Sequence, residues 1–163
     1  MPAPLIIDRI GEAAEQAPFA PILPGHSLTN AEAWAQSGAA ASWLIAQGFG
    51  PGAKSLAVLA EDGPERAMLL LGALRAGAIV EVGSALRGAL VFAGRQGRLV
   101  SVAGPRDIAF AALAGCSIDA AVAERRRHID ASTPAFLLGD VCQRHGDLVG
   151  VAHALTLVSD PPG

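Results

Sequence analysis

The chain has 163 residues, enough for one ordinary domain, with 52% hydrophobic and 17% charged residues and a formal net charge of −3. Disordered polymers need low hydrophobicity and high net charge, so that class is excluded. The 15 acidic and 12 basic residues give none of the basic bias expected of a nucleic-acid binder.

The apolar content comes mostly from small side chains, with alanine runs at 39–41 and 111–112, aromatics at 4% and no tyrosine. Such a core packs backbones closely around few large anchors. Cys116 and Cys142 form neither a CxxC pair nor a disulfide framework, which points to a reducing, cytoplasmic setting. The uncharged stretch 33–53 is interrupted by Gln36, Ser37, Gly38, Gln47, Gly48 and Pro51, so it is not a membrane span. The start Met-Pro-Ala-Pro followed by Asp8 and Arg9 lacks the basic-then-apolar order of a secretory signal.

In chain order, Leu5, Ile6, Ile10, Ala13 and Ala14 recur at helical spacing and predict a short amphipathic helix. Pro18, Pro21, Pro24 and Gly25 then force extended chain and turns. Thr29-Asn30-Ala31-Glu32 is a capping-box pattern, which predicts a helix over 30–47 stopped by Gly48. On that helix Trp34 and Trp43, nine residues apart, point to opposite faces. One of them is a core residue, and the other is either an exposed candidate interface anchor or a second core contact, since this helix is apolar nearly all round. Gly38 and the alanines let the helix sit close to a neighbour.

The run 55–60 reads as a buried strand, 65–76 as a buried helix after the Asp62-Gly63-Pro64 start, and 78–82 as a second strand. Strand, helix, strand implies a parallel crossover and an α/β fold, a Rossmann-like layered sheet with flanking helices. Further on, 89–93 and 99–103 read as strands joined by a hairpin loop, and 105–114 and 118–128 as helices. The segments 135–138 and 148–157 read as extended, with 139–146 a polar loop between them. A single domain over 1–160 is expected, with 161–163 frayed.

Asp140, Cys142, His145, Asp147 and His153 form the densest group of reactive side chains. Cys142-x-x-His145 has a spacing used by metal sites, with His153 as a further candidate ligand. A thiol beside an imidazole also suits an activated nucleophile, and the plain alternative is a polar loop. Arg125-Arg126-Arg127-His128 is a basic patch at a helix end, either solvated and facing the helix dipole or a contact to nucleic acid, phosphate or an acidic partner.

The stretch 28–82 resembles the amino-terminal part of the adenylate-forming ligases, which include acyl-CoA synthetases and nonribosomal peptide adenylation domains. The resemblance rests on three blocks in order. They are His26-Ser27-Leu28-Thr29-Asn30-Ala31-Glu32, the turn and strand from Gly48-Phe49-Gly50-Pro51-Gly52 to Leu59, and Leu71-Gly72-Ala73-Leu74-Arg75-Ala76-Gly77-Ala78-Ile79.

It implies the family fold for a truncated amino-terminal subdomain. It also sets 138–151 where the family carries its phosphate-gripping loop, built from small hydroxylated residues, glycines and a lysine. Gly139, Asp140, Arg144, His145 and Gly146 stand in that region without Ser, Thr or Lys, so the loop is degenerate. The only lysine, Lys54, sits at a turn that the family does not use for catalysis. No catalytic residue and no cofactor is therefore assigned. The expected role is a non-catalytic interaction or scaffold subunit of a larger assembly, with a protein partner or a second copy bound. Trp34, Trp43, Arg125, Arg126 and Arg127 are its candidate interface residues. The alternative is one piece of a split adenylating ligase completed by another chain.

Overall fold

A seven-stranded mixed sheet carries the molecule, in the order β5-β4-β3-β1-β2-β6-β7. The computed structural model describes residues 5–23, 25, 27–52, 55–58, 64–82, 90–95, 98–101, 107–109, 119–138, 141–148 and 150. The strands are β1 (Ser55–Val58), β2 (Ile79–Val82), β3 (Leu90–Arg95), β4 (Arg98–Ser101), β5 (Asp107–Ala109), β6 (Pro134–Leu138) and β7 (Val141–Arg144). The helices are α1 (Ile6–Gln16), α2 (Asn30–Ala46), α3 (Pro64–Ala76) and α4 (Asp119–Arg126), with a 3-10 turn over His145–Asp147.

The central four strands are parallel. β1 pairs with β2 (Ser55↔Ile79) and β3 (Leu56↔Leu90), and β2 pairs with β6 (Val80↔Phe136). This is the α/β arrangement that the strand–helix–strand order predicts. The outer strands are antiparallel hairpin partners: β3 with β4, β4 with β5, and β6 with β7.

α3 lies on β1 and β2, and α2 packs on its outer side, so residues 67–76 are buried all round. α1 and α4 pack on α2 in turn. The core holds Ile6, Leu44, Phe49, Leu69, Leu70, Leu71, Leu74 and Phe136, each with under 2% of its surface exposed.

The capping box at α2 forms in both directions. The Glu32 N–H donates to Thr29 Oγ1 at 3.2 Å and the Thr29 N–H donates to Glu32 Oε1 at 3.1 Å. Helix α2 ends one residue earlier than the expected 47, and Gly48 follows at φ +91°, a conformation costly for any residue with a Cβ. Gly77 ends α3 in the same way at φ +73°.

Two expectations are corrected. Within 105–114, expected as a helix, Asp107–Ala109 forms β5 and pairs with β4 through Leu99↔Ile108. Alanine's helix preference is a weak prior that the hydrogen bonds of a sheet edge override. Within 139–146, expected as a polar loop, Val141–Arg144 is the strand β7, with Leu137↔Cys142 and Leu138↔Val141 in register. Val141, Cys142 and Arg144 are exposed and Gln143 is half-buried. A strand exposed on both faces carries no apolar–polar alternation to read. The extended run expected at 148–157 and the frayed end at 161–163 lie mostly or wholly outside the described residues.

Candidate functional site

A groove of about 740 Å³ opens on the helical layer, where α1 and α4 flank α2. Its floor is α2, with Ala35, Gly38 and Ala39, and Ile7 and Val122 add apolar walls. Small residues on one helix face leave space that no side chain fills. Trp34, with 38% of its surface exposed, stands at the groove beside Arg75, whose guanidinium carbon lies 3.7 Å from the ring centroid.

Arg75 is the only charged residue in the buried run 67–76 of α3 and has only 9% exposure. Its Nη1 donates to the Trp34 carbonyl at 2.7 Å and to Ser37 Oγ at 3.0 Å. A buried cation needs such partners. Gly38 makes room for them, since a Cβ there would come within 3.0 Å of Arg75 Nη1.

The other charged wall joins α1 to α4. Arg126 on α4 grips Asp8 on α1 in a bidentate pair, Nε to Oδ1 at 2.7 Å and Nη2 to Oδ2 at 2.6 Å. Its Nη1 also donates to the Ile129 carbonyl at 2.7 Å. The Arg126 hydrogen bonds hold the Asp8 carboxyl below the usual carboxylate range.

Arg125, one residue earlier, points elsewhere. Its Nη1 donates to the Phe49 carbonyl at 2.7 Å and the Ala76 carbonyl at 2.6 Å, just past the end of α2 and at the end of α3. One cation thus serves two helix ends, where carbonyls lack intrahelical partners and the dipole is negative. Gly50 lies against the same guanidinium, which leaves no space there for a Cβ. Arg125→Ala should lower unfolding stability by about 2 kcal/mol in urea titration, because two carbonyls lose a charged donor. A midpoint unchanged from the wild type would refute this bridge.

The basic patch at 125–128 is therefore split. Arg125 and Arg126 bind within the chain, while Arg127 and His128 lie exposed beside Glu124 at 3.6 and 3.5 Å. The two tryptophans diverge as well. Trp34 reaches the groove, and Trp43 is half-buried against the core.

The reactive group near the carboxyl end does not assemble as its spacing suggests. Cys142 is exposed on β7, whereas His145 is 1% exposed and both its ring nitrogens lack hydrogen-bond partners among the described residues. The thiol and the imidazole thus stand in different surroundings: successive strand residues alternate faces, and the 3-10 turn carries His145 inward. Among the described residues no three His, Cys, Asp or Glu side chains gather as a metal site. The turn is pinned by the His145 N–H donating to the Thr133 carbonyl and the Gly146 N–H to the Ala131 carbonyl, both at 2.9 Å. Asp147 Oδ2 accepts from the Arg144 N–H at 2.9 Å. Gly139, Asp140, His153, Cys116 and Lys54 lie outside the described residues.

The fold has counterparts among solved structures. Over 82% of this chain the backbone matches a segment amounting to 27% of a fatty acid AMP ligase from Legionella pneumophila, with TM-score 0.57 and 17% identity. MatB from Rhodopseudomonas palustris matches over 94% of this chain and 37% of its own, with TM-score 0.50 and 19% identity. The chain has the fold of part of an adenylate-forming ligase. VinN matches over 89% of this chain and 46% of its own, with TM-score 0.55 and 14% identity. The ligase-like chain thus spans less than half of each of these proteins. No protein-family profile and no curated protein sequence matches it.

In this ligase-like frame the groove combines two residues that the sequence singles out, Trp34 and Arg126, with two that it does not, Asp8 and Arg75. Arg75 carried a signal, being the only charged residue in the run 67–76. Asp8 carried none, because its partner lies 118 positions away.

Proposed function

We propose that this chain is a non-catalytic, ligase-like interaction subunit of a larger biosynthetic assembly, acting as one unit over 1–160. The observation that carries the reading is the β6–β7 hairpin. Only two residues separate the paired Leu138 and Val141 in the region that resembles the family's phosphate loop. A polyphosphate needs several convergent backbone N–H groups, hydroxyls or a lysine. The stretch 138–151 contains no Ser, Thr or Lys.

Binding is supported by large apolar side chains left in solvent: Phe19 at 88%, Val141 at 58% and Trp34 at 38% exposure. The partner is a protein or a second copy of the chain. The exposed free thiol of Cys142 suits a reducing cytoplasm. None of the described helices is long and apolar enough to cross a membrane.

A second reading is favoured by the partial coverage of the matched ligases, 27% of the Legionella enzyme. On that reading the chain is one piece of a split acyl- or aminoacyl-adenylating ligase, and another chain supplies the phosphate grip. Pyrophosphate exchange with ATP, Mg²⁺ and a panel of carboxylic acids separates the two. The first reading expects no exchange, alone or with any co-purifying chain. Exchange that appears only with a partner overturns it and establishes the second.

A further inference from the structure

The sheet ends on β7, and no described strand lies beyond it. Its pairing with β6 decides which of its backbone groups are used. In an antiparallel ladder, hydrogen-bonded and non-hydrogen-bonded pairs alternate. Only two residues join Leu138 to Val141, so these two form the hydrogen-bonded pair that closes the hairpin. Val141 and Gln143 therefore turn their N–H and C=O groups toward β6, and Cys142 and Arg144 turn theirs to the outer edge. The Arg144 N–H is taken already, donating to Asp147 Oδ2 at 2.9 Å. Within β7 the outward donor that remains is the Cys142 N–H, beside the Cys142 carbonyl. Edges are commonly blunted by proline, by charge or by a covering element. β7 has no proline and a single charge, Arg144, while Val141 is 58% exposed and Cys142 is exposed.

We propose that β7 pairs antiparallel with β7 of a second copy of this chain, about a two-fold axis at Cys142. Each Cys142 N–H donates to the Cys142 carbonyl of the other copy. One residue thus supplies donor and acceptor alike, which is the self-complementarity that a two-fold interface requires. The flanking charges suit the same register. Read antiparallel about Cys142, the sequence Asp140-Val141-Cys142-Gln143-Arg144 sets Arg144 opposite Asp140 of the second copy, and the reverse. Opposite charges directly across a strand pair attract. Both sheets then continue into one, and Val141 loses part of its exposure. Stable complexes bury roughly 1,200–2,000 Å² in total, more than a four-residue ladder supplies, so the dimer is weak and reversible. The inference rests on the interaction reading, for which it names the partner and the surface. Pyrophosphate exchange tests that reading and self-association tests this one, so either can fail alone.

Sedimentation equilibrium of the full chain in reductant should show a concentration-dependent monomer–dimer equilibrium. Cys142→Pro removes the outward N–H and should weaken association at least tenfold. Arg144→Asp alters only a side chain and should weaken it severalfold, which keeps the test decisive if the proline variant does not fold. Combining Arg144→Asp with Asp140→Arg should restore association, because the charges exchange places. Circular dichroism checks that each variant is folded. A chemical readout locates the axis. Cα atoms of a hydrogen-bonded pair lie about 5.5 Å apart, inside the roughly 4.4–6.8 Å that a disulfide spans. Diamide, which accepts the two protons and two electrons that the thiols release, should link the copies through Cys142, as peptide mapping identifies. Moving the thiol to the exposed position 132, by Cys142→Ser with Ser132→Cys, should slow the linking at least tenfold. A monomer at every concentration, or a dimer indifferent to both Cys142→Pro and Arg144→Asp, would overturn the proposal.

Discussion

Replacing Gly72 with alanine is expected to destabilise the fold by about 2–3 kcal/mol, the range for overpacking a tight interface. Alanine is ordinarily better in a helix than glycine by about 1 kcal/mol, so the expected sign is opposite to propensity. The reason is the closeness of α2 and α3. A Cβ at position 72 would lie 2.6 Å from the Ala40 Cβ, 3.1 Å from the Ser37 carbonyl oxygen and 3.2 Å from the Ala41 nitrogen. None of these is the end of a flexible side chain, so the two helices must separate. Urea unfolding of Gly72→Ala measures the loss. The pair Gly72→Ala with Ala40→Gly should recover about 1 kcal/mol relative to the sum of the single changes, because the deleted methyl vacates the worst contact. Additive effects would mean that the helices do not meet there.

His145 sets the second large effect, a loss of stability in mild acid. Its pKa is pushed down from 6.5 to about 4, first by burial, next by the positive charge of Arg126, with Asp130 opposing. Between those two values the unfolded chain binds a proton that the folded chain refuses. Stability is therefore complete above pH 6.5 and falls as pH drops toward 4. The loss is about 2 kcal/mol between roughly pH 7 and 5, and up to about 3 kcal/mol over the whole window. Asp8 and Asp130, both depressed from 3.8, and Glu32, depressed from 4.5, lose their contributions mainly at lower pH, so among the shifted groups of the described residues the slope above about pH 5 belongs chiefly to the histidine. His145→Leu should flatten that slope and leave stability at neutral pH equal or higher, since it also removes two unpartnered buried nitrogens. An unchanged slope in the variant would assign the acid sensitivity to another group.

The central fold was legible because its signals are local. The capping box, the glycine stops at 48 and 77, the apolar run at 55–58 and the buried helix after Pro64 each need only a few neighbouring residues to be read. Their order alone implied the parallel β1–α3–β2 unit. The outer sheet was less legible. β5 is three residues long in an alanine-rich stretch, and β7 is exposed on both faces, so neither shows a periodic pattern. The candidate site was half legible. Trp34 stood out as a bulky aromatic on a helix of small residues, but the grip of Arg126 on Asp8 and the inward turn of His145 are set by packing across the chain. Three adjacent arginines look alike in sequence, yet one bridges two helix ends, one pairs with α1 and one faces solvent.

The Arg125 bridge bears on the order in which the protein can be completed during synthesis. The helix ends at Phe49 and Ala76 leave the ribosome long before residue 125 does, and Asp8 waits longer still for Arg126. Chains emerge at about 5–20 residues per second, so the first three helices exist for seconds without the cations that close them. Closure over 118 positions is also entropically costly and slow. A nascent chain halted before α4 should therefore be open to proteases at the α2 and α3 ends, and protection should arrive with the arginines.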